Sequence, residues 1–197
     1  MRDGDHKEAR DPDVDSMLAF QRGDEESFVK LYRAYRERIF NFCRRMLSSP
    51  ALAEEATQDV FLKLYQQRHR YEPRSRFSTY VFRIATNHCL NLRQRRDFGQ
   101  AGGEFLEQYA DSSSPSPERA LEQRRLHAQL GAALATLPGQ QAAALLLCHY
   151  EGMSYREAAD SLHVSESAVK SLVHRAREGL LATLAKRPAM EGDHAVQ

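Results

Sequence analysis

The chain has 197 residues, of which 42% are apolar and 28% charged, and its 28 Lys and Arg nearly balance 27 Asp and Glu for a formal net charge of +1. That length suits two domains of ordinary size, and that balance excludes a chain disordered throughout. No apolar run approaches the roughly 18 residues a membrane span needs, and the acidic, polar start lacks the basic and apolar parts of a secretion signal, so a cytosolic protein is expected.

Residues 1–15 carry 3 basic and 6 acidic groups and are expected to form a disordered tail. The next stretch, 16–96, reverses the sign with 16 basic and 8 acidic groups, net +8. A block of that size is either a phosphate-binding surface, where each Lys or Arg releases condensed counterions, or the solvated face of ordinary helices. Its apolar residues follow a helical period. From Phe28 they fall at Leu31, Tyr32, Tyr35, Ile39, Phe42, Cys43 and Met46, one face of a long helix. Ser48, Ser49 and Pro50 break that helix and start a second, with Leu52, Ala56, Val60, Phe61 and Leu64 inward. Pro73 marks a loop, and a third helix is predicted from Arg76 or Ser78 to about Arg96. Three such helices make a bundle.

Between 97 and 122 the periodicity fails. Gly99, Gly102, Gly103 and the Ser112–Pro117 run, with 1 basic and 6 acidic groups, predict a flexible acidic tether. Helix resumes near Pro117, carries Leu121, Leu126, Leu130 and Leu134, and opens a second domain over 123–185, followed by a frayed tail at 186–197. In this domain Pro138 suits a helix start and Gly152 the position past its end. Ser154 and Glu157 have the spacing of a capping box, with Ala158, Ala159 and Leu162 facing inward. A turn at His163 and Val164 then leads to Ser165, which can cap a longer helix with a seam at Val169, Val173, Ala176, Leu180 and Leu184. Helix, tight turn and capped helix is the DNA-binding helix-turn-helix arrangement, and the off-seam Ser167, Lys170, Ser171, His174, Arg175 and Arg177 are hydrogen-bond donors suited to phosphates and base edges.

Glu151-Gly152-Met153-Ser154-Tyr155-Arg156-Glu157-Ala158-Ala159, then Val169-Lys170-Ser171, Arg175-Ala176-Arg177 and Leu180, with Leu137-Pro138 ahead of them, resemble region 4 of the extracytoplasmic-function (ECF) sigma factors of bacterial RNA polymerase. The segments GDEESFVKLYRAY, LAEEATQDVFLKLY and FSTYVFRIATNHCLNLRQRR resemble region 2 of the same family, in the same order. The pattern differs at Tyr80, where the family has Trp, at Gln141 or Ala142 and at Leu172, where it has Arg, at His163, where it has Gly, and at Ala168, where it has Thr.

The resemblance implies an all-α protein of two helical domains joined by the acidic linker, acting as a sigma factor that directs core polymerase to promoters and assists their melting. Region 2 would read the −10 element as unpaired bases, one of them flipped into a pocket beside the loop before the third helix. There Tyr71, Phe77 and Tyr80 can stack on bases, Asn87 can bond a base edge, and Arg74, Arg76, Arg83, Arg93, Arg95 and Arg96 can hold the strand; Phe77 is equally a core residue. Region 4 would read the −35 element through Arg156, Ser167, Lys170, Ser171, His174 and Arg175. The second region 2 helix would dock on an arginine-rich coiled coil of the polymerase through Glu54, Glu55, Gln58 and Asp59, with Phe61 and Leu62 beside them. An anti-sigma factor, commonly membrane-anchored, is the expected regulator, covering the acidic docking face and packing against region 4. It could hold the factor at the inner membrane.

Two other classes compete. A conventional dimeric helix-turn-helix regulator would use the N-terminal bundle as a dimerisation or sensor domain. An enzyme would need a site, but the histidines form no HExxH or HxH motif, and neither a phosphate loop nor GxSxG occurs. Cys43, Cys89 and Cys148 form no CxxC pair and are expected to be buried thiols. No metal, cofactor or small-molecule substrate is expected.

Overall fold

The computed structural model describes residues 11–98, 126 and 128–185, and every regular element among them is helical. Asp11 starts the first helix by accepting a hydrogen bond from the Asp13 amide at 3.1 Å, and Pro12 occupies the first turn, where its missing N–H costs nothing. This helix, α1 (Pro12–Gln21), buries Val14, Met17 and Phe20 at steps of three. The expected tail is therefore corrected over 12–15. Acidic composition at the chain start hid a short apolar stripe, and burying Met17 and Phe20 favours order by about 1.5–3 kcal/mol each. Residues 1–10 lie outside the described residues.

Asp24 caps α2 (Glu25–Leu47), which ends where Ser48 turns left-handed at φ 54°. Ser49 then caps α3 (Pro50–Gln66) through the Leu52 amide, and a 3-10 turn at Arg68–Arg70 leads into a loop before α4 (Phe77–Phe98). Ile39, Phe42 and Leu47 of α2, Val60 and Leu64 of α3, and Phe77 and Phe82 of α4 form the centre of this bundle, onto which α1 packs as a fourth helix. Cys43 and Cys89, both fully buried, bring their sulfurs to 3.6 Å between α2 and α4, and the hydrogen bond with Cys43, together with burial, holds the Cys89 thiol well above its usual range.

The tether residues 99–122 and the tail 186–197 lie outside the described residues. Beyond them come α5 (residues 128–135), α6 (Gly139–His149), α7 (Tyr155–Leu162) and α8 (Glu166–Ala185). Leu126 and Leu184, expected inward, are exposed.

The two groups of helices do not stand apart. One apolar cluster runs through both, and α4 lies against α6 and α7. The buried Ser161 hydroxyl of α7 donates to the Thr79 carbonyl of α4 at 3.3 Å. Arg93 of α4 donates to the carbonyls of Met46 at 3.0 Å and Leu137 at 2.6 Å, tying the end of α2 to the residues before α6. Arg38 of α2 pairs with Glu151, and Arg45 stacks over the Tyr150 ring at 4.2 Å.

Candidate nucleic-acid interface

A reading helix must present its donors outward, so the turn before it has to be fixed. Here the Ser154 amide and hydroxyl donate to Glu157 Oε2 at 2.9 and 2.8 Å while the Glu157 amide donates to Ser154 Oγ at 3.2 Å, a closed capping box at the start of α7. Gly152 at φ 67° makes the bend before it. His163 ends α7 at φ 55°, the left-handed position that glycine adopts without strain. Ser165 Oγ then accepts the Ala168 amide at 3.2 Å and starts α8. Val169, Val173 and Ala176 are buried, with Leu172 and Leu180 half-buried against the core.

The opposite face of α8 exposes Ser167, Lys170, Ser171, His174 and Arg175, and Arg156 is exposed on α7. Lys170 lies 3.4 Å from Glu166 and His174 3.5 Å from Glu178, pairs one helical turn apart and weak in water. Ser171 Oγ donates to the Ser167 carbonyl at 3.1 Å, leaving its oxygen free to accept. The five α8 side chains expected from sequence at the −35 element thus share one face of that helix, and Arg156 is exposed on α7.

The second surface runs along α4 and the loop before it. Arg74 is exposed beside Glu72, and Arg76 reaches to 3.8 Å from Glu157 of α7. Arg83 lies over the Tyr80 ring at 5.2 Å, Asn87 and Arg95 are exposed, and the Arg96 side chain lies outside the described residues. Tyr80 is half-buried, its ring 4.9 Å from Tyr71, and burial raises its phenol.

Three residues expected on this surface are placed elsewhere. Phe77 is 0% exposed, with its ring 5.1 Å from Tyr35 and its amide donating to Asp11 Oδ2 at 3.0 Å. Tyr71 is 3% exposed and its phenol is pushed up to about 12 by burial. Arg93 is held by carbonyls at the junction of the two helix groups. Aromatic and guanidinium groups serve cores as well as nucleic acids, and here packing takes them. Of the three aromatics, Tyr80 alone keeps an accessible ring.

A third surface lies on α3. Glu54, Glu55 and Gln58 are exposed, as is Leu62 at 54%, and Glu54 is 3.7 Å from Arg36. Asp59 is partly exposed and is backed by His88, whose Nε2 is 3.3 Å away and whose Nδ1 faces Lys63 Nζ at 2.7 Å. Burial and Lys63 hold the His88 imidazole below its ordinary range. Phe61 is corrected: at 4% exposure it packs beneath Tyr32, ring centroids 4.8 Å apart. Tyr32, on the adjacent helix α2, is instead exposed there, and Val29 is exposed one turn before it. The sequence period put Tyr32 inward because a seven-residue stripe cannot separate its edge from its centre.

Among the described residues no group of His, Cys, Asp and Glu could hold a metal ion, and no helix is long and apolar enough to cross a membrane.

Comparison with known proteins adds the family. The Sigma-70 region 2 model matches residues 31–98 and the Sigma-70, region 4 model matches 127–180. The chain is 33% identical over 190 residues to the ECF RNA polymerase sigma factor SigE of Mycolicibacterium smegmatis, covering 93% of this chain and 73% of that protein. It is 31% identical over 168 residues to the RNA polymerase sigma-H factor of Pseudomonas aeruginosa, covering 81% and 87%. Its fold is similar to that of CnrH, solved in complex with the cytosolic domain of CnrY, with a TM-score of 0.68 at 22% identity over 90% of this chain and 100% of that one. It is also similar to the sigma factor RpoE of Bartonella quintana, solved with the anti-sigma factor NepR, at 0.67 and 22% over 82% and 98%. These relatives favour an initiation factor over a dimeric regulator. The chain belongs to the ECF family of RNA polymerase sigma factors, which direct core polymerase to promoters.

Proposed function

We propose that the three surfaces divide the work of initiation, with residues 16–96 and 123–185 as its working domains and 97–122 as their linker. The donor face of α8, with Arg156, reads the −35 element in the major groove. Tyr80, with Arg74, Arg76, Arg83, Asn87, Arg95 and Arg96, receives the unpaired −10 strand. Glu54, Glu55, Gln58, Asp59 and Leu62, extended by Tyr32 and Val29, dock on core polymerase. The observation that carries this reading is the outward donor face of α8 behind a fully capped turn. The protein performs no catalysis of its own; polymerase supplies the chemistry.

We also propose that an anti-sigma factor holds the protein inactive in the cytoplasm, at the inner membrane where that partner is membrane-anchored. The support is the fold shared with RpoE, solved with the anti-sigma factor NepR, and with CnrH, solved with the cytosolic domain of CnrY. Run-off transcription with purified core polymerase tests the main reading. Promoter-selective transcripts are expected with the protein present, and their absence alongside tight duplex binding by the protein alone would overturn it.

A further inference from the structure

The loop between α3 and α4 has little structure of its own beyond the Arg68–Arg70 turn, yet its two ends are held by one helix. Gln21, the last residue of α1, points Nε2 at the carbonyl oxygens of Tyr71 at 3.0 Å, Arg68 at 3.1 Å and His69 at 3.3 Å. Three converging acceptors can be satisfied only by a donor, and a carboxylate in the same place would meet three like partial charges. At the other end of α1, Asp11 accepts the Phe77 amide at the start of α4. Arg68 adds an anchor by lying over the Tyr65 ring at 4.6 Å and donating to the Tyr65 carbonyl at 2.9 Å.

Between these two clamps lie 72–76, with Arg74 and Arg76 exposed, and Tyr80 follows one turn into α4. The ring of Tyr80 rests on Tyr71, whose carbonyl is the nearest of the three that Gln21 holds. The helix that makes the clamps also carries Asp11, Asp13 and Asp15, so it repels a phosphate strand rather than binding one.

We propose that α1 is a positioning element for promoter opening: Gln21 and Asp11 fix the 67–76 loop in the shape that receives the unpaired strand, without touching DNA themselves. This rests on the reading that Tyr80 and the loop arginines take up the −10 strand. Holding the loop in advance removes the ordering entropy that a mobile loop would add to the barrier for opening.

The test compares Gln21→Glu with Gln21→Lys in the full-length protein bound to core polymerase, reading strand opening by the fluorescence of 2-aminopurine placed in the −10 element. Gln21→Glu is expected to slow opening about tenfold, the effect of replacing part-buried hydrogen bonds by a carboxylate facing the same carbonyls, with affinity for core polymerase unchanged. Gln21→Lys, whose ammonium can donate to all three carbonyls, is expected to open within about twofold of the parent. Parent-like opening in Gln21→Glu, or equal loss in both variants, overturns the proposal. Tyr80→Ala and Arg74→Ala run alongside. If they slow opening and Gln21→Glu does not, the positioning role alone fails, whereas if they too leave opening unchanged, the strand-binding reading fails and the proposal with it.

Discussion

Arg38 reaches from α2 to the carboxylate of Glu151, its Nε and Nη2 at 3.1 and 3.0 Å from one oxygen, while the Glu151 side chain is only 6% exposed. Burial raises the Glu151 carboxyl above its ordinary value, and the attraction of Arg38 opposes that rise without cancelling it. A raised carboxyl means that folding favours the protonated form. Its contribution to stability is therefore complete below the ordinary value of 4.5 and is lost as pH rises through the higher folded value. At neutral pH the ionised group weakens the contact between the two helix groups. Glu151→Gln is expected to keep them together at least as well as the parent and to remove this pH dependence. Arg38→Ala, which leaves a buried carboxylate without its partner, is expected to cost about 1–3 kcal/mol. Urea unfolding at acid and neutral pH measures both, and greater loss in Glu151→Gln than in Arg38→Ala would contradict the account.

Tyr80 and Phe77 sit three residues apart and are expected to fail differently. Tyr80→Ala should reduce permanganate-reactive thymines in the open complex while leaving core binding intact, and Tyr80→Phe should retain them, because stacking needs the ring and not the hydroxyl. Phe77→Ala should lower stability by about 3–5 kcal/mol, as expected for emptying a fully buried aromatic site. Thermal unfolding beside the footprint separates the two effects.

On α8, Arg175→Ala is expected to cost about 1–3 kcal/mol in binding a −35 duplex and to relax its sequence preference. Lys170→Ala should weaken binding more evenly across sequences and reduce the salt slope by about 1. Titration of fluorescent duplexes at several salt concentrations checks this, and unchanged binding by the double variant would remove α8 from the reading role.

His163 holds a left-handed turn that glycine adopts freely. His163→Gly is expected to raise unfolding stability by about 0.5–1 kcal/mol, with binding to the −35 duplex unchanged, since the side chain at 163 precedes the reading face. Denaturant melts read the first effect and duplex titration the second.

The helix-turn-helix was legible in the sequence because its signals are local. Ser154 with Glu157, the turn at His163 and the cap at Ser165 each depend on residues three or four apart, and the donor face of α8 follows from its period. Long-range facts were not. Tyr71, Phe77 and Tyr80 are chemically alike, and only the positions of Tyr35 and Asp11, distant in the chain, decide which ring faces out. Helix α1 went unseen because three apolar residues among aspartates make a weak stripe until other helices cover it. The junction of the two helix groups uses Thr79, Ser161 and Arg93, which bind backbone carbonyls or offer their own and so leave no pattern in the sequence.

The span between Asp11 and Phe77 sets an order on synthesis at the ribosome. The partner that Asp11 binds comes 66 residues later, and those that Gln21 binds 47 to 50 later. At about 5–20 residues per second, α1 waits roughly 3–13 seconds for the start of α4 to be made. Over that interval Phe20 can already pack on Phe28 of α2, whereas the groups that Asp11 and Gln21 bind have yet to be made. The two clamps on the α3–α4 loop can therefore close only after all of α1, α2 and α3 has been made.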